Sequence, residues 1–139
     1  MKQQLRKTDA TTNVINWFEI PVTDTARAKQ FYETLLDLDM ETLHFPESGE
    51  TLTFFPFNHD VIQATSGRVT GALTQSATAQ PSLQGTLVYL NASPSIQAVL
   101  DRVVPAGGQI ISGPVYIKAG FIAVISDTEG NRIGLHAEA

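Results

Sequence analysis

Apolar and polar residues alternate along 14-VINWFEIPV-22, with Phe18, Ile20 and Val22 on one parity, which predicts a strand buried on one face. The period then lengthens. In 23-TDTARAKQFYETLLDLDM-40, Ala28, Phe31, Leu35 and Leu38 recur at helical spacing behind Asp24, a good N-cap. The pattern predicts an amphipathic helix laying Phe31 and Leu35 on the sheet, with Arg27, Lys29 and Glu33 in water. Short strands are expected at 41–45 and 51–57, divided by the turn-forming 46-PESG-49, and a weaker one within 68–75.

The stretch 76-SATAQPSLQG-85 is small, polar and turn-prone, and after it the pattern begins again. A strand at 86–92 leads into a helix in 93-SPSIQAVLDRVVPAGG-108, with Ser93 as cap, Pro94 at the first helical position, and Ile96, Val99, Leu100 and Val103 as its stripe. Pro105 and Gly107-Gly108 are expected to stop it. Strands at 109–112, 120–126 and 132–137 complete the second half, the last two joined by the turn 127-DTEGN-131. The order strand, helix, three strands therefore occurs twice, at an offset of about 70 residues. This divides the chain into a flexible tail at 1–12, a first βαβββ module at 13–75, a linker at 76–85 and a second module at 86–139. The fold class is α+β.

Composition narrows the functions available. With 42% hydrophobic and 17% charged residues the chain is globular in character, and its apolar runs, such as 121-FIAVI-125, are too short to span a bilayer. It has no cysteine, which removes disulfides, thiolate metal sites and cysteine nucleophiles. A cytoplasmic location is the default expectation. The formal net charge is −5 and the basic residues are scattered, so no basic stripe exists to follow a nucleic-acid backbone. Neither nucleic acid nor membrane is an expected partner.

Three stretches in order, 17-WFEIPVTDTARAKQFYETLL-36, 85-GTLVYLNASPSIQAVLDRVVPAGGQI-110 and 126-SDTEGNRIGLH-136, resemble the glyoxalase/bleomycin resistance/dioxygenase (vicinal oxygen chelate) superfamily. They are most similar to its small glyoxalase-like proteins related to lactoylglutathione lyase. The resemblance implies two consecutive βαβββ modules forming a cupped mixed sheet, in which strand parity sorts residues between helix and cup. Trp17, Glu19 and Pro21 then face the cup, as do Leu87, Tyr89 and Asn91, and Gly134 and His136.

Metal-using members of that superfamily hold a divalent ion on His, Gln or Glu of the cup-facing strands. The resemblance places Trp17, Leu87 and Gly134 at the three ligand positions, and none of these can bind a metal. Neither a metal nor any other cofactor is therefore expected.

Glu19, a carboxylate among apolar neighbours, reads either as a solvated or paired charge or as a general base. His136 reads as a surface histidine near the C-terminus or as a general acid or base. Trp17, Tyr89 and Phe55 read as pocket lining or as ordinary packing.

Three functions follow as expectations. The first is a protein that binds a small, partly apolar molecule through Trp17, Glu19, Tyr89, Asn91 and His136, works without a metal and forms a homodimer. The second is a metal-independent lyase or isomerase, with Glu19 as base and His136 or Tyr89 as acid. The third is a non-catalytic interaction module whose cup is filled by its own side chains.

Overall fold

The computed structural model describes residues 9–62 and 66–139; most of the expected tail, residues 1–8, lies outside them. Strand β1 (Trp17–Pro21) is followed by helix α1 (Thr25–Leu36) and strands β2 (Glu41–Phe45), β3 (Glu50–Phe54) and β4 (Thr70–Gln75). Then come β5 (Tyr89–Asn91), α2 (Ile96–Ala106), β6 (Gln109–Ile117), β7 (Gly120–Ser126) and β8 (Arg132–Ala137). The strands form two four-stranded sheets of the same topology, β1-β4-β3-β2 and β5-β8-β7-β6. In each the first strand runs parallel to the last, and the other pairs are antiparallel. This is the expected α+β architecture of repeated βαβββ units.

Local chemistry sets most element boundaries. Asp24 caps α1 by accepting the Arg27 amide at 3.0 Å, and Asp37 ends the helix in the left-handed region. Helix α2 starts two residues later than expected, because Ser95, not Ser93, accepts the Ala98 amide. Ser93 is already engaged: its amide donates to Asn91 Oδ1 and its hydroxyl accepts from the Glu138 amide. Pro105 is tolerated in the last turn of α2, which ends instead on Gly107 at φ 109°.

Strand β6 is more than twice as long as expected. Two register shifts let it continue past Gly113-Pro114, a pair that reads as a stop in sequence. Strand β3 ends before Pro56, which has no amide to donate, and β1 begins only at Trp17, where its register with β4 begins.

One core serves both sheets. Ala28, Phe31, Tyr32 and Leu35 of α1 and Ile96, Val99, Leu100 and Val103 of α2 join Ile20, Leu73, Leu90, Ile125, Ile133 and Leu135 in it. Phe55, read in sequence as pocket lining or as ordinary packing, is in this core, packed on Phe18 and Tyr32. The two helices pack on each other.

The turn between β7 and β8 fastens the halves together. The buried Asp127 accepts the Tyr32 hydroxyl at 2.6 Å, Glu129 pairs with Arg27 at 2.6 Å, and Asn131 donates to the Pro21 carbonyl at 2.7 Å. Each sheet thus has one face on the shared core and one face turned away from it.

Candidate functional site

Ladder partners share a face, so the open face of each sheet can be read from its register. On the first sheet Glu19, Ala72, Phe54 and Glu41 line up across β1, β4, β3 and β2, with Pro21, Thr74, Leu52 and Leu43 in the next row. Trp17 lies on the same face and donates its indole N–H to Glu19 Oε2 at 3.2 Å. Its ring also meets Phe54 and Phe57 at centroid distances of 6.0 and 6.5 Å. The Thr74 hydroxyl in this sheet is buried and has no hydrogen-bond partner among the described residues.

On the second sheet the corresponding rows are Tyr89, Gly134 and Val124, then Asn91, His136, Ile122 and Val115. Tyr89, Asn91 and His136 share one cavity of about 410 Å³, walled also by Leu90, Ile117 and Ile122. His136 is half-buried, and its Nε2 lies 2.7 Å from the Ala119 carbonyl oxygen. Asn91 keeps its Oδ1 on the Ser93 amide, which leaves its NH₂ group for another partner.

The five residues singled out in the sequence therefore fall into two groups. Tyr89, Asn91 and His136 come together, and so do Trp17 and Glu19. The second pair lines a different crevice of about 480 Å³ beside the segment from Gln80 to Val88, with Arg132 on its wall. Phe54 and Phe57 are the residues that sequence reasoning missed on the first sheet. Strand alternation was the available signal for Phe54, but only its pairing with Ala72 shows which parity is open.

A model of the family described as "Glyoxalase/Bleomycin resistance protein/Dioxygenase superfamily" matches residues 14–135. The chain belongs to this superfamily. Curated relatives named "Putative glyoxylase CFP32", from Mycobacterium bovis and Mycobacterium tuberculosis, are 29% identical over 121 residues, covering 86% of this chain and 44% of theirs. The chain thus spans less than half the length of those relatives.

Among solved structures, the trypanothione-dependent glyoxalase I of Leishmania major is similar with a TM-score of 0.65 at 18% identity, over 91% of this chain and 87% of that one. TnmS3, an antibiotic binding protein from a Streptomyces species, is similar with a TM-score of 0.58 at 20% identity, over 91% of this chain and 97% of that one. At these identities the likeness concerns the fold.

The divalent ion used by many superfamily members does not fit the residues present. The Trp17 side chain offers only a donor N–H, already given to Glu19, and the Leu87 side chain has no polar atom. Gly134 has no side chain, and a Cβ built there would meet the Tyr89 ring at 2.6 Å. Glu19, Glu41 and His136, ligand-type residues on the open faces, line three different cavities. Among the described residues, no three His, Asp or Glu side chains gather as a metal site requires.

Proposed function

We propose that the protein binds a small, partly apolar molecule on the open face of its second sheet, and that it does so without a divalent metal. The cavity shared by Tyr89, Asn91 and His136 carries this reading. Its apolar walls give area, while a phenol, an amide and an imidazole give orientation, the usual composition of a small-molecule site. The volume of about 410 Å³ also speaks against a cup filled by its own side chains.

Trp17 and Glu19 belong to the same function if two copies associate. The first sheet exposes Trp17, Leu43, Phe45 and Phe57, and the second exposes Tyr89, Val115 and Ile117. Apolar surface spread over two open faces of one chain is what an association interface leaves uncovered in a single copy. A homodimer that sets the first sheet of one copy against the second sheet of the other would bring Trp17 and Glu19 to face Tyr89, Asn91 and His136.

The lyase or isomerase reading depends on that meeting. A base at Glu19 and an acid at His136 or Tyr89 act on one substrate only within a shared pocket.

A thermal-shift screen of the intact protein against metabolites tests the binding reading, because a ligand that binds only the folded state raises the melting temperature. A hit is expected to lose its shift in Tyr89→Ala and His136→Ala. Hits that survive both substitutions unchanged would place the site elsewhere. Analytical ultracentrifugation tests the dimer, and a monomer at micromolar concentration would remove the shared cup.

A further inference from the structure

Three aromatic rings meet on the open face of the first sheet. Trp17 contacts Phe54 and Phe57, and those two lie 6.0 Å apart, tilted by 51°. Phe57 in turn packs on the His59 ring at 4.4 Å. Beside this cluster is a cavity of about 280 Å³, lined by Phe54, Pro56, Phe57 and His59 together with Asp39 and Glu41. Glu41 and Phe54 are direct ladder partners, so a carboxylate and a ring are held next to each other on one face. The lining includes no Lys or Arg, and both carboxylates are exposed.

We propose that this cavity binds the cationic group of a small organic molecule, an alkylated ammonium. Ring faces carry negative potential and attract a poorly hydrated cation, and Asp39 and Glu41 supply the opposite charge. Two carboxylates repel an anionic ligand. With the His59 imidazole they make three ligand-type side chains on the lining, but among the described residues no three His, Asp or Glu side chains gather as a metal site requires. The volume suits a headgroup rather than a whole drug-sized molecule. The inference goes beyond the cup reading: the cavity lies on the same open face, and Phe57 belongs to the surface proposed for association, but the lining includes none of Glu19, Tyr89, Asn91 or His136.

Trp17 is the sole tryptophan of the chain and touches two of the rings, so its emission reports on the cavity. The full chain is titrated with choline and, in parallel, with 3,3-dimethylbutan-1-ol, its uncharged counterpart of the same shape; calorimetry repeats both titrations without the reporter. Choline is expected to saturate and to bind at least about tenfold more tightly than the alcohol. Phe57→Leu keeps apolar volume but removes a ring face, and the double variant Asp39→Asn with Glu41→Gln removes charge without bulk. Each is expected to weaken choline about tenfold or more and to leave the alcohol unchanged. Tyr89→Ala and His136→Ala are expected to have no effect on choline.

Equal affinity for choline and alcohol would overturn the proposal, as would the absence of saturation by choline in a protein whose melting curve is intact. Loss of choline binding in His136→Ala would also overturn it, by moving the cation to the second sheet.

Discussion

The ring of Tyr89 lies against Gly134, its ladder partner, so closely that a Cβ on Gly134 would meet Cδ1 at 2.6 Å and Cε1 at 2.7 Å. The glycine makes room for the aromatic ring, and the ring in turn walls the cavity beside His136. Gly134→Ala is therefore expected to destabilise the protein by about 1–3 kcal/mol through overpacking. In a Tyr89→Ala background the same substitution should cost much less. A double-mutant cycle by urea denaturation measures the coupling, and additive effects would mean that the ring is free to move aside.

Glu129 accepts from the amides of Thr23 and Asp24, both at 2.8 Å, and from Arg27 Nε at 2.6 Å. Burial pushes its carboxyl up, but the hydrogen bonds from Arg27, Thr23, Asp24 and Thr128 outweigh this and hold it at about 2. A folded value below the ordinary 4.5 means that the stabilisation is complete above about pH 4.5 and is lost as pH falls through about 2. Arg27 is half-exposed, so screening reduces the contribution to on the order of 1–2 kcal/mol. Glu129→Gln should lower stability by that amount at pH 7 and flatten its dependence on pH between 2 and 5. Coincident stabilities of variant and parent across that range would show that the bridge contributes nothing.

Tyr32 and Asp127 form the buried counterpart of that bridge. Asp127 accepts from the Tyr32 hydroxyl, from the amides of Glu129 and Asn131, and from Asn131 Nδ2. Tyr32→Phe removes one charge-assisted bond and is expected to cost about 2 kcal/mol. Burial, then the Asp127 charge and hydrogen bond, push the Tyr32 phenol well above its ordinary value. A raised value favours the neutral phenol in the folded state, so this contribution is present below about pH 10 and falls away above it. Absorbance at 295 nm, followed to alkaline pH, should show Tyr32 ionising only together with unfolding. The signal difference between parent and Tyr32→Phe checks this.

These fasteners mark where sequence reading stops. The order of elements was legible because its signals are local: the Asp24 cap, the Gly107 stop, and the alternation of Phe18, Ile20 and Val22. The parity of Trp17 and Glu19, and that of Tyr89, Asn91 and His136, was legible for the same reason. The sharing of the five residues between two cavities was not, because it depends on how the halves pack. Tyr32 and Asp127 are 95 positions apart, and Arg27 and Glu129 are 102 apart. In sequence both acids look like parts of a hairpin turn and Arg27 like a solvated helix charge. The place of Phe55, open in sequence between pocket lining and ordinary packing, has a similar cause: three apolar residues surround Pro56, and the pairing of β3 with β4 decides which of them faces out.

The identities of Trp17, Leu87 and Gly134 lead to a last prediction, about metal. Three side chains that cannot ligate, one of them absent and overlain by a ring, leave no anchor for the superfamily's usual ion. Dialysis against a chelator is expected to leave the melting temperature within about 1 °C of its starting value. Addition of zinc, nickel or manganese should not raise it, since only an ion bound to the folded state can do so. Elemental analysis of the purified protein gives an independent measurement. One tightly held divalent ion per chain, lost together with stability on chelation, would overturn this prediction and reopen metal-assisted chemistry, with Glu19 and His136 brought together across two copies as the first ligands to test.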